Sequence, residues 1–168
     1  MNQRFSLPNR AGQDCLTQFG AVCWRMNRGH VQVLLITSRD TGRWVIPKGW
    51  PIADKGGAAS AAQEAWEEAG VEGQINDAAL GRFTYDKIMP GQTSFQCSVE
   101  VFALRVAKLR ANFPERKERR RKWFDAAKAA RKVAEPELRQ LLLRLPELLV
   151  PDAVEADAAA PDAVVAKL

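Results

Sequence analysis

Apolar and polar positions along the chain predict a run of strands, one helix, more strands and then helices. Residues 16–26, rich in β-branched, aromatic and sulfur-bearing side chains, read as a strand, and residues 31–37 (VQVLLIT) as a second. Asn27, Arg28, Gly29 and His30 between them supply the turn of a hairpin. Residues 43–47 form a third short strand, followed by a Gly- and Pro-rich loop over 48–57. Residues 58–69 are dominated by alanine and glutamate and predict a helix, with Gly70 where a C-terminal cap glycine belongs. A strand over 80–87 and a turn at Met89, Pro90, Gly91 and Gln92 lead to residues 94–104. There Phe95, Cys97, Val99 and Val101 alternate with Gln96, Ser98 and Glu100. A basic loop over 112–122 leads to Trp123 and Phe124, a helix starts near Asp125, Pro136 interrupts it, and residues 137–144 form a last helix with a leucine-rich face. This order fits an α/β (mixed α+β) fold in which helices pack on a mixed sheet.

Length and composition change this picture little. The 168 residues suit one domain plus some tail. Residues 151–168 are mostly Ala, Val, Pro and Asp with no aromatic, and read as a mobile tail, with a short docked helix as the alternative. No apolar run approaches the roughly 18 residues of a membrane span. The first ten residues are polar, so no secretory signal is expected. The three cysteines, Cys15, Cys23 and Cys97, are odd in number and widely spaced, which argues against a disulfide framework or a zinc site and for a reducing, cytoplasmic setting. A lone histidine, His30, makes Ser-His or Cys-His catalysis a poor expectation.

Charge adds more. The net formal charge is +5, yet residues 105–132 hold twelve basic residues against three acidic ones. Such a segment suits a polyanionic ligand, or is simply a solvated surface.

The candidate chemistry lies in residues 47–71, PKGWPIADKGGAASAAQEAWEEAGV. Glu64, Glu67 and Glu68 fall at i, i+3 and i+4, so one helix face carries three carboxylates within about one turn. They stand near the helix C-terminus, where negative charge opposes the macrodipole. The cluster is costly unless a cation offsets it, and oxygen donors of this kind suit Mg²⁺ or Mn²⁺. An ordinary exposed acidic face is the plainer reading of the triplet alone. Lys48 and Gly49, on the preceding loop, are placed to offer backbone and ammonium to phosphate.

Together these residues resemble the signature of the Nudix hydrolases. Gly49, Glu64, Glu67, Glu68, Gly70 and Val71 match six of its nine specified positions, with Ala65 as a weaker seventh. Lys55 stands where the signature has glutamate and Gln63 where it has arginine. The family pairs these two positions to fix the loop on the helix, and a Lys–Gln hydrogen bond would be a weaker substitute.

The resemblance covers roughly residues 16–145. It implies a Nudix-type α/β/α sandwich, with an N-terminal arm over 1–15 and a flexible Ala/Pro/Val-rich tail over 146–168. It further implies a hydrolase of phosphoanhydride bonds with Glu64 and Glu67 as catalytic candidates. Glu64, Glu67, Glu68 and the Lys48 backbone carbonyl would be the ligands of Mg²⁺ or Mn²⁺. Glu100 or Glu118 is considered as a further distal carboxylate, with plain surface exposure favoured for both.

The Pro47-Lys48-Gly49 entry resembles members acting on diphosphoinositol polyphosphates or dinucleoside polyphosphates. Arg25, Ser38, Arg39, Arg43, Lys48 and Gly49 are the expected substrate contacts. Trp50 is the expected base-stacking ring, whereas Trp44 and Trp66 are expected to pack. The expected partner is a small-molecule polyphosphate, with nucleic acid possible but not favoured, no membrane, and a monomer or homodimer. A second reading stays open: a non-catalytic Nudix-fold module that binds RNA or another polyanion through residues 105–132.

Overall fold

The computed structural model describes residues 6–8, 14–91 and 94–158. In chain order these form β1 (Ser6–Pro8), β2 (Asp14–Asn27), β3 (His30–Thr37), β4 (Trp44–Val45), β5 (Lys48–Gly49), α1 (Gly57–Ala69), β6 (Val71–Ile88), β7 (Ser94–Leu109), β8 (Arg121–Asp125), α2 (Ala126–Lys132) and α3 (Pro136–Ala158).

Alternation along the central strands sets the layers. Ala21 and Cys23 of β2, with Leu34 and Ile36 of β3, face one side. Val22 and Trp24, with Val33 and Leu35, face the other. Both faces are apolar and both must be covered. Helix α1 covers the first with Ala61, Ala65 and Ala69. Helices α2 and α3 cover the second, chiefly with Leu138, Leu142, Leu145 and Leu149. These four leucines recur at helical spacing, and each contributes on the order of 2 kcal/mol by burial. The architecture is the expected α/β/α sandwich.

The sheet runs β4-β3-β2-β7-β6, with β1 and β5 added to β2, and β8 to β3. β2 and β7 are parallel and the other pairs antiparallel, so the sheet is mixed.

Several elements differ from the sequence expectation. β6 starts at Val71 rather than residue 80, and β7 continues to Leu109 rather than residue 104. The added stretch of β6 carries no apolar alternation, and its pairing with β7 shifts register near Glu72, Ile75 and Ala79, which hides the strand from a periodicity reading. The expected strand 43–47 is two short pieces, β4 and β5, the second inside the expected loop. The end of the expected basic loop is strand β8, paired along β3 from Ile36↔Arg121 to Gln32↔Asp125. The expected N-terminal arm contributes β1, which pairs with β2. Helix α3 runs past the expected end at residue 144, because Leu145 and Leu149 continue the buried face while Pro146 stays exposed. It takes in residues 151–158 of the expected tail, and residues 159–168 lie outside those described.

Candidate active site

The site forms where β5 meets α1. β5 pairs Lys48 with Gly20 and Gly49 with Phe19 of β2, which fixes the loop backbone beside the helix. A Cβ built on Gly49 would overlap the Glu64 carboxyl, so glycine here is a matter of close approach. The Lys48 backbone N–H donates to Glu68 Oε2 at 3.3 Å. The loop therefore touches two of the three helix carboxylates.

The C-terminal end of α1 is clasped by the segment joining β7 to β8. The helix stops at Gly70, whose φ of 66° is the left-handed cap conformation. Its last carbonyls, which have no partner inside the helix, find partners in this segment. Arg110 N–H donates to Gly70 O at 2.8 Å, Glu115 N–H to Glu67 O at 3.0 Å, and Arg121 Nη1 to Ala69 O at 2.6 Å. Cations here also offset the macrodipole that the glutamates oppose.

The same clasp carries two side chains into the site. Arg119, with its side chain 9% exposed, sets Nη2 3.1 Å from Glu68 Oε1 and 3.2 Å from Glu115 Oε1. Its Nη1 donates to Thr37 O at 3.1 Å. Arg39 reaches Glu115 and Glu118, each at 3.4 Å. Sequence reasoning does not single out Glu115 and marks Arg119 only as part of the basic segment 105–132, because both sit in what reads as a solvated basic loop. Their i, i+4 spacing was the only local signal.

Burial and crowding raise two of the helix carboxyls, Glu64 and Glu68. Burial is the main cause that raises Glu64 to about 7, with Glu67 and Glu115 adding to it and Arg119 and Lys48 opposing. Burial likewise raises Glu68 to about 7, with Arg119 pulling down and Glu64 pushing up. The third carboxylate, Glu67, accepts from Gln63 Nε2 at 2.8 Å, and Gln63 Oε1 accepts from Lys55 Nζ at 3.3 Å. The Lys–Gln hydrogen bond expected in place of the family's ion pair is thus present.

Behind the loop, on the face covered by α2 and α3, cations and rings meet. Burial lowers the Lys48 ammonium from its ordinary value, and its Nζ sits 4.6 Å from the centre of the Tyr85 ring. Lys87 Nζ lies 5.8 Å from the Trp50 ring, which is 39% exposed.

Residues 16–145 match the NUDIX domain family. The chain belongs to that family. It is similar to three Arabidopsis thaliana proteins, among them Nudix hydrolase 16, mitochondrial (33% identical, covering 67% of this chain and 64% of the relative) and Nudix hydrolase 12, mitochondrial (31% identical, covering 59% and 50%). The chain thus spans between half and just under two thirds of these curated relatives. Among solved structures its fold is similar to a Caenorhabditis elegans Ap4A hydrolase (TM-score 0.59, 19% identical, 80% of this chain and 98% of that one). It is also similar to the NUDIX domain of Shewanella oneidensis NrtR complexed with ADP ribose (TM-score 0.61, 16% identical, 83% and 92%). The expected cytoplasmic setting finds no support in relatives named as mitochondrial. Among the described residues no helix is long and apolar enough to cross a membrane.

Other residues singled out in the sequence fall around this Nudix site or away from it. Arg39 is joined to the site through Glu115. Ser38 stands at the base of a tight turn, with Oγ 2.6 Å from Thr41 Oγ1. Arg43 is held by Glu135 at 2.7 Å. Lys48 and Gly49 are at the centre, and Trp50 is beside them.

Arg25 is not brought to the site. It lies five residues beyond Gly20, roughly 16 Å along β2, where it bonds Gln32 and stacks 4.0 Å from the Trp123 ring. Glu118 is half-exposed, and Glu100 pairs with Arg82 at 2.7 Å and lines an open groove of about 540 Å³ beside the start of α1. The carboxylate near the helix glutamates is Glu115. Trp44 packs edge-on against Phe124, as expected of a packing ring.

Proposed function

We propose that this Nudix chain hydrolyses phosphoanhydride bonds with the help of a divalent metal ion, acting on a small, highly anionic polyphosphate of the diphosphoinositol or dinucleoside type. The observation that carries this reading is the gathering of Glu64 and Glu68 against the Lys48–Gly49 backbone, with Glu67 on the same end of α1 and Glu115 entering from the opposite segment. It rests equally on family membership, since the hydrolase name belongs to the relatives.

The residues suit Mg²⁺ or Mn²⁺ in chemistry. All four side chains offer hard oxygen donors, and the Lys48 carbonyl is a fifth candidate. Among the described residues no three His, Cys, Asp or Glu side chains lie arranged to hold an ion as they stand. The cause is visible: Glu68 and Glu115 are drawn to Arg119 and Glu67 to Gln63. Release of those contacts would leave the carboxylates free to turn toward an ion, which the cost of their crowding favours. When bound, such an ion would neutralise phosphate oxygens and make a water more acidic.

The chain's own groups then divide the work. Lys48 and Lys87 hold phosphate oxygens, with Tyr85 and Trp50 beside them to cover a ring or apolar edge. Glu64, which lies against the loop backbone, is the candidate to take a proton from the water. Among the described residues no hydrogen bond ties its carboxylate down. Water adds to one phosphorus, its proton passes to Glu64, the bridging P–O bond breaks, and the bridging oxygen leaves with the bonding pair. Glu67 and Glu68 keep the roles of ligands, with Glu67 a second candidate for orienting the water. Arg39 and Arg43 line the approach and Ser38 shapes the turn between them.

The alternative of a polyanion-binding module ranks second on family membership: ten of the twelve basic residues of 105–132 are exposed and open to a ligand, but four of its arginines have partners within the molecule. Arg119 and Arg121 clasp α1, Arg110 pairs with Glu72 at 3.0 Å, and Arg105 sits 5.5 Å from the Trp24 ring.

The substrate class is tested by following phosphate release with Mg²⁺ or Mn²⁺ from a diphosphoinositol polyphosphate, a diadenosine polyphosphate, ADP-ribose and an oxidised nucleoside triphosphate. Preferential turnover of either of the first two supports the proposal. Preference for ADP-ribose or the triphosphate would overturn the substrate class and leave the hydrolase reading in place.

A further inference from the structure

A largely buried cation at the site is bonded to the very groups a metal ion would take. Arg119 Nη2 bridges Glu68 and Glu115, at 3.1 and 3.2 Å, its Nε donates a second bond to Glu115 at 3.3 Å, and its Nη1 is anchored on Thr37 O at 3.1 Å. Its side chain is 9% exposed and that of Glu68 10%, so this is a shielded ion pair, where removal of one partner leaves the other unpaired. The neighbouring contact is of another kind: Arg39, with its side chain 57% exposed, meets Glu115 from solvent at 3.4 Å.

We propose that Arg119 is the resident counter-cation of the carboxylate site and that a metal ion must displace its guanidinium from Glu68 and Glu115 to bind. The proposal rests on the metal-dependent reading given above and deepens it. One carboxylate oxygen cannot be fully given to a guanidinium and to a small divalent ion at once, and two like-signed centres at that distance repel. Arg119 therefore keeps the metal-free site folded and neutralised, and it lowers metal affinity by the free energy of its own two ion pairs. It acts on the reaction through Glu68, as a positioning residue. The guanidinium can swing away without unfolding the clasp, because the backbone bonds of that segment to Glu67 and Gly70 do not involve Arg119.

The test compares the full chain with Arg119→Gln and Arg119→Lys, using Mn²⁺ alone as the probe. Free Mn²⁺ is read by electron paramagnetic resonance, and melting temperature is read in chelator and at saturating Mn²⁺. Gln removes the charge; Lys keeps it but cannot span both carboxylates and the Thr37 carbonyl together. The proposal expects both variants to melt lower than wild type without metal, by about 3 °C or more. It expects the deficit to shrink at saturating Mn²⁺, and Mn²⁺ affinity to rise by about tenfold in Arg119→Gln and by a smaller factor in Arg119→Lys. An equal melting deficit with and without Mn²⁺, or unchanged or weaker affinity in both variants, would mean that Arg119 stays on Glu68 beside the metal and would overturn it. Tighter binding in Arg119→Gln with Arg119→Lys unchanged would show a distant charge effect and also overturn it. If Arg119→Gln does not fold, Arg119→Lys decides. Wild type that binds no Mn²⁺ would overturn the metal reading itself, an outcome distinct from wild type that binds with unaltered variants.

Discussion

Lys55 reaches across to the helix and bonds Gln63, Nζ to Oε1 at 3.3 Å, and Gln63 passes the contact on to Glu67 at 2.8 Å. A three-member chain thus ties the loop to a candidate metal ligand where the family uses an ion pair. Gln63→Ala removes both bonds at once. It is expected to cost at most about 1 kcal/mol, since the pair is largely exposed, and to raise Mn²⁺ affinity modestly by freeing Glu67 to turn toward the ion while loosening the loop. The double change Lys55→Glu with Gln63→Arg restores the family pair and is expected to raise turnover above wild type. Turnover equal to wild type in the double variant would show that loop anchoring does not limit the rate.

Gly49 touches Glu64 so closely that no side chain fits between them. Gly49→Ala must push the loop or the carboxylate away, a change of the overpacking kind worth roughly 1–3 kcal/mol. The expected outcome is a lower melting temperature together with loss of metal-dependent activity, read by thermal melting and phosphate release. Normal activity in Gly49→Ala would mean that the loop backbone does not have to approach Glu64.

The raised carboxyls give a pH dependence of definite sign. Glu64 and Glu68 sit at about 7 in the folded chain against an ordinary 4.5. Between those values the folded chain binds protons that the unfolded chain does not, so their stabilising contribution is complete at low pH and is lost as pH rises through about 7. In chelator, this contribution to melting temperature falls from ~5 to ~8 in pH, while Mn²⁺ affinity rises over the same range because ligands must be deprotonated. Melting curves and Mn²⁺ titrations at matched pH check both halves. Mn²⁺ affinity independent of pH there would contradict the assignment of these two residues as ligands.

The covering helix makes a separate test of the architecture. Leu142 is fully buried on the face that α3 lays on the sheet. Leu142→Ala is expected to cost roughly 2–5 kcal/mol in chemical denaturation, with Mn²⁺ affinity of the folded fraction unchanged.

Much of this molecule is legible in its sequence. The alternation of β3 and β7, the alanine-rich helix with its capping Gly70, and the register of Glu64, Glu67 and Glu68 are local patterns, and the structure follows them. Other features depend on contacts distant in the chain. The first half of β6 is a strand only because β7 pairs with it through shifted registers. Glu115 and Arg119 matter only because backbone bonds to Glu67 and Gly70 bring their segment onto α1. Arg25 misled for the opposite reason: its place on a strand near the motif in sequence says nothing of the distance along β2 that separates it from Lys48. Leucine spacing carried α3 beyond a proline that sequence rules treat as a stop.

The central claim is that the helix carboxylates serve a metal-dependent phosphoanhydride hydrolysis, and Glu64 bears it most directly. The measurement is the rate of phosphate release from the preferred polyphosphate as Mn²⁺ is titrated, in wild type and in Glu64→Gln, which keeps the size of the side chain. Hydrolysis through Glu64 and a bound metal predicts saturable Mn²⁺-dependent turnover in wild type and a loss of about 10²-fold or more in the variant at saturating metal. Equal turnover in the two, or turnover in wild type that ignores the metal, would contradict it.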